Sequence, residues 1–407
     1  MDLAEAPAIL ILAGITAYAI LAGADFGAPV WAISARGEAA EQIAESGHRS
    51  MAPVWEANHV WLIFVLVVCW TAYPEVFGAV FSTLWIPLLL ACLGIIMRAV
   101  TYVAGRAGSG RAVTWLAAGA SLLVPFSLGT VIGALADGRV PAGNAQGDIL
   151  TSWLAPVPLM TGLILVATST YLAAVFLATD ANRRGEDGLA EAFRLRGLVA
   201  GALTGIVAAA GLLVLYYEAR PFFEAMLMPG YGDSQASRLL VSLSAVAGTA
   251  TIWLLLTRRF PLARYVAPAA VACVVAGWGV AQQPEILPGL SLDAAAASRE
   301  VIIGLLIAVA IGLVLLIPSL YLLYSLTLKG HFDQPGTPSL EARSVIRSPG
   351  STGRIASWLV LVAGLAGAAM LFFSDSGPVL YFGLALFMAG LAGGAVLLAR
   401  SLAVRQG

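Results

Sequence analysis

Residues 301–317 read Val301-Ile302-Ile303-Gly304-Leu305-Leu306-Ile307-Ala308-Val309-Ala310-Ile311-Gly312-Leu313-Val314-Leu315-Leu316-Ile317, a run without a single charged, amide or hydroxyl side chain. A helix at the surface of a water-soluble domain needs a polar face, and this run has none. A hydrocarbon core about 30 Å thick is crossed by about 20 apolar residues in helical form, so the run, extended to 300–326, reads as a transmembrane helix. Ten further runs of the same kind lie at 6–34, 53–73, 77–104, 112–135, 152–179, 197–217, 237–257, 260–282, 355–374 and 377–399. The expected fold class is all-α: a polytopic integral membrane protein with about 11 transmembrane helices.

The composition agrees with this reading. Of 407 residues, 60% are hydrophobic and 11% charged, whereas Asp, Glu, Lys and Arg make up about a quarter of an average soluble domain. A net charge of -1 provides no basic field, which excludes nucleic acid as a partner. Cys69, Cys92 and Cys273 sit inside apolar runs without CxxC spacing and read as small hydrophobes. The first run follows Asp2 and Glu5 rather than basic residues and is too long for a signal peptide, so it is expected to be retained.

Cytoplasmic connections carry the excess of Lys and Arg. Connections after odd-numbered runs, with the C-terminal tail, hold seventeen of them, and connections after even-numbered runs hold Arg139, Arg220, Arg238 and Arg299. The N-terminus is therefore expected outside and the C-terminus in the cytoplasm. Residues 331–354, rich in Pro, Gly and Ser, read as a cytoplasmic linker between a membrane domain over 1–330 and an additional helix pair within 355–407. The stretch from Glu218 to Ser237, with Phe222, Phe223, Met226 and Met228, reads as a short amphipathic piece along the outer interface.

An ionisable group inside a bilayer costs at least a few kcal/mol, so each one is a candidate for function. Asp25, in Gly23-Ala24-Asp25-Phe26-Gly27, lies about nine residues, roughly 14 Å, from the inner end of the first run. The second run opens Trp55-Glu56-Ala57-Asn58-His59-Val60-Trp61-Leu62. Glu56 and His59, three apart, share a helix face, with Asn58 in the same turn and the supporting aromatics Trp55 and Trp61 flanking it. A carboxylate, an amide and an imidazole in one turn can pass a proton between them. Arg98 lies about six residues, roughly 9 Å, from the inner end of the third run.

Plainer readings stand beside these. Asp25 can serve packing alone by pairing with Arg98, Glu56 can be a carboxylate favoured by a helix N-terminus, and Arg98 can snorkel to the interface. Three histidines, two of them in loops, cannot supply paired haem ligands, and no nucleotide, dinucleotide or HExxH zinc motif occurs. What favours function is convergence of Asp25, Glu56 and Arg98 from three successive helices on one half of the membrane. The second group of four helices contributes no comparable acid.

At these residues the sequence resembles subunit II of the cytochrome bd quinol oxidase family. The resemblance rests on Gly23-Ala24-Asp25-Phe26-Gly27, on Trp55 to Leu62, on Arg98, and on Pro284-Glu285-Ile286-Leu287-Pro288 with Leu292-Asp293-Ala294, and it extends to about residue 330. It implies two four-helix bundles plus one helix, and a heterodimer whose subunit I carries haem b and haem d groups and the quinol site. It also implies that this chain binds no cofactor itself, and that Asp25 and Glu56, with Asn58 and Trp55 beside them, line a path for cytoplasmic protons. The family often has Asp in place of Glu56 and Gln or Glu in place of His59. The last helix pair exceeds the usual nine and leaves room for a small accessory subunit; membrane lipid and quinone complete the expected partners. The rival readings are a purely structural subunit and a secondary transporter.

Overall fold

The computed structural model describes residues 3–34, 38–51, 55–105, 111–228, 234–283 and 285–328, with Val362, Ala366, Leu386 and Ala389 as isolated helical residues. The chain divides into two compact units, Met1–Asp333 and Gln334–Gly407. The expected linker at 331–354 and helix pair within 355–407 lie outside the described residues apart from those four.

In the first unit, α1 (Glu5–Ile33), α3 (Trp55–Ala72), α5 (Trp85–Gly105) and α6 (Arg111–Ala136) pack as one four-helix bundle. A second bundle is made by α7 (Pro156–Arg183), α8 (Asp187–Glu218), α10 (Ser234–Leu256) and α11 (Phe260–Ala281). The two join where α1 lies against α7 and α11 and where α6 lies against α7, while α13 (Arg299–Leu328) stands beside α3. Seven of these helices are individually long and apolar enough to cross a membrane. In lipid a helix satisfies its backbone internally, so apolar side chains can point outward all round, as they do along α13 from Ile307 to Leu322.

Three features depart from a reading based on apolar runs. The third run, expected as one span over 77–104, is broken into α4 (Pro74–Thr83) and α5, bent by 83°. Pro87 favours the break: in a continuous helix it would have no N–H for the Thr83 carbonyl four residues back, and its ring would crowd that carbonyl. A loop braces the break, with Ala145 N–H donating to Ser82 Oγ at 2.7 Å. Secondly, the connection after the first run contains α2 (Glu38–Met51), an amphipathic helix that buries Ile43 and Met51 in the core of the second bundle. Thirdly, β1 (Glu285–Leu287) and β2 (Leu290–Ser291) form an antiparallel hairpin. Its turn places Gly289 at φ +75°, a conformation that glycine adopts without steric cost. Within 218–237 the amphipathic piece forms as α9 (Arg220–Leu227), with an Arg220–Glu224 ion pair at 2.7 Å across its first turn.

Candidate functional site: a buried ion pair between three helices

Close helix approach sets the site. Gly23 and Gly27 of α1 face Ser169 of α7, and Gly27 lies so near that an added Cβ would stand 2.6 Å from the Ser169 carbonyl carbon. Small residues of this kind let membrane helices touch backbone to backbone. Asp25, between the two glycines, is thereby enclosed, with 1% of its surface exposed.

Arg98 of α5 answers it. Its Nη2 donates to Asp25 Oδ1 at 2.9 Å and lies 3.4 Å from the Asp25 carbonyl oxygen, and the residue is 7% exposed. Arg98 therefore does not snorkel to the interface; it turns inward. On α3, Asn58 is equally buried and donates through Nδ2 to the Leu21 carbonyl of α1 at 3.2 Å. His59 lies against Tyr18 and Phe26 of α1, with Nδ1 3.4 Å from the Tyr18 hydroxyl and ring centroids 6.0 and 5.8 Å away. Trp61, half-buried, packs against the cluster of Tyr18, Ala22, Phe26 and Val124 and meets Phe64 edge-on.

Asp25, Asn58, His59 and Arg98 are thus brought together from α1, α3 and α5, with Trp61 at the margin. Glu56 and Trp55 belong to the first turn of α3, and their side chains lie outside the described residues. Tyr18 is an addition. Its signal was its position seven residues before Asp25, which is two helical turns along the same face. Tyr18, Gly23 and Phe26 also form one wall of a mainly apolar cavity of about 480 Å³ that extends to Trp278 and Gln282. Among the described residues, no three His, Cys, Asp or Glu side chains gather as metal ligands.

A second buried acid lies in the last turn of a helix of the other bundle. Asp180, at the end of α7, is 5% exposed and accepts from Arg264 Nη1 of α11 at 2.6 Å, with Arg183 at 3.9 Å. The apolar run over 152–179 stops one residue short of it and leaves Asp180 in a connection, whereas α7 continues through Arg183.

A bundle-built membrane protein with an ion pair sealed between three helices is the class this architecture defines. The family model for cytochrome bd terminal oxidase subunit II matches residues 3–327. The chain belongs to that family. It is 21% identical over 213 residues to a Bacillus subtilis (strain 168) protein named as a putative cytochrome bd menaquinol oxidase subunit II; the match covers 52% of this chain and 62% of that protein's length. Among solved structures, the bd oxidase of Geobacillus thermodenitrificans contains a chain of similar fold, with TM-score 0.62 and 24% identity, covering 81% of this chain and 99% of that one.

Proposed function

We propose that this chain is the haem-free subunit II of a cytochrome bd-type quinol:oxygen oxidoreductase and that it conducts protons from the cytoplasm toward the oxygen-reducing site of a partner. The haem b and haem d groups and the quinol site belong, in this reading, to the haem-bearing subunit I. The complex resides in a bacterial inner membrane, with the N-terminus of this chain outside and its C-terminus in the cytoplasm, as the seventeen-to-four division of Lys and Arg favours. The helix pair within 355–407 is an addition that would give a small accessory subunit a place to bind.

One observation carries the proton-path reading: the Asp25–Arg98 ion pair, buried where three helices meet. Well-packed apolar side chains of similar volume hold helices together at least as well as a buried ion pair does. Charges at such a site therefore favour a task that needs them. Glu56, in the first turn of α3, is the entrance in this reading and Asp25 the deeper relay, with Asn58 and His59 supplying exchangeable hydrogen-bond partners between them.

The test uses the complex purified through a tag on this chain. Asp25→Asn and Glu56→Gln are each expected to lower quinol-driven oxygen uptake about tenfold or more, approaching what positioned proton-transfer groups contribute, with haem per complex unchanged. Normal turnover in both variants would show that no obligatory proton passes these carboxylates. Joint loss of haem and complex would favour the purely structural subunit. A transporter would instead move solute when reconstituted alone.

A further inference from the structure

The connection between α1 and α3 is a second site of polar burial, and its bonds run to the far bundle. Arg184, in the turn between α7 and α8, has a side chain only 8% exposed. Its Nη2 donates to Ser46 Oγ at 3.0 Å and its Nη1 to Ser50 Oγ at 3.2 Å, both on α2. Its Nε donates to Glu186 Oε2 at 3.1 Å, and the other oxygen of Glu186 accepts from Arg49 Nη2 of α2 at 3.0 Å. All three nitrogens of one guanidinium are thus engaged. Beneath these bonds Ile43 and Met51 of α2 pack into the core that also holds Leu177, Ala178, Ala181 and Phe193. The polar contacts and the apolar ones hold α2 to the same place.

That place matters because α2 leads almost directly into α3. Only residues 52–54 separate Met51, the last residue of α2, from Trp55, the first of α3. Four residue steps reach at most about 14 Å when fully extended, so the first turn of α3 is tethered within that distance of the end of α2. Glu56 stands in that turn.

We propose that Arg184 is a positioning residue for the proton entrance: by clamping α2 to the α7–α8 turn it fixes the start of α3, and with it Glu56. This rests on the proton-path reading above. The clamp spans both bundles, so a residue of the second bundle sets the geometry of a path that runs through the first. The charged groups adjoining it are Arg49 of α2, Asp180, Arg183 and Glu186 at the end of α7 and in its turn, and Arg264 of α11.

The experiment compares Arg184→Ala, Arg184→Lys and the double variant Ser46→Ala with Ser50→Ala, alongside Asp25→Asn, all in the purified haem-bearing complex. Turnover per haem is measured across pH, with quinol concentration varied. Loosening the entrance slows proton capture most where protons are scarce. Arg184→Ala is therefore expected to lower kcat about tenfold, short of the hundredfold that ångström-scale misplacement can cause. KM for quinol should be unchanged, and the alkaline limb of the pH profile should move to lower pH. Arg184→Lys, which keeps one donor group, is expected to recover part of the rate, and the double serine variant to show the same shift in smaller measure. A merely structural clamp would lower yield or thermal stability and leave turnover per haem and the pH profile in place. That outcome, with Asp25→Asn slow, would overturn the proposal and leave the proton path standing. Normal turnover in Asp25→Asn would overturn both. If Arg184→Ala does not assemble, the double serine variant decides, because it removes only the two acceptors on α2.

Discussion

Arg98→Leu, with Asp25 left in place, is expected to destabilise the protein by about 3–5 kcal/mol, the usual cost of removing one member of a buried ion pair. The penalty comes from what remains. Asp25 is 1% exposed, and its Oδ1 is held by Arg98 Nη2 at 2.9 Å; without the guanidinium its charge is neither solvated nor compensated. Leucine fills much of the volume, so a packing defect contributes little. The signature is in the double variant. Asp25→Asn combined with Arg98→Leu removes the stranded charge and should be more stable than Arg98→Leu alone, as read by thermal unfolding of the purified complex. Equal stability of the single and double variants would mean that a stranded Asp25 charge is not what costs stability.

Gly27→Ala carries the second large effect. The added methyl would overlap the Ser169 carbonyl group, which is backbone of α7 and cannot rotate aside. Overpacking of a tight interface costs typically about 1–3 kcal/mol and more where backbone must move, so the loss should reach or exceed the top of that range. Two other glycines provide controls. Gly23→Ala meets its nearest atom, Ser169 Oγ, at an ordinary 3.4 Å and should be tolerated. Gly119→Ala meets nothing within 4 Å and should be neutral or slightly stabilising, since alanine favours helix by about 1 kcal/mol. A thermal midpoint for Gly27→Ala equal to that of Gly23→Ala would contradict the backbone contact between α1 and α7.

The same residues show what the sequence made legible. Length of apolar run located the main helices of the two bundles and α13, because a bilayer demands about 20 apolar residues whatever the neighbours are. It did not show the bend before α5. Pro87 was visible, but in a membrane helix proline can be accommodated when neighbours satisfy the freed carbonyl, and only the structure shows that the helix breaks. Nor did it show α2, since Ile43 and Met51 are isolated among polar residues and their burial depends on α7 lying beneath them. For the site, the cost of intramembrane charge singled out Asp25 and Arg98 as candidates, yet whether Arg98 snorkels or turns inward is decided by the approach of α5 to α1. Tyr18 was hidden because a tyrosine in an apolar run is ordinary. Asp180 was hidden because an acid at the last turn of a span looks solvated until Arg264 closes over it.

Passage of protons through Asp25 to the oxygen-reducing site is tested most directly by mixing the fully reduced complex with oxygen in unbuffered solution containing a pH-indicating dye, and comparing Asp25→Asn with the unmodified protein. Haem absorbance reports oxygen binding in the same record. If Asp25 is the relay, the variant binds oxygen at the normal rate and then takes up protons about tenfold or more slowly. Proton uptake at the normal rate in Asp25→Asn, with haem content intact, would contradict that role.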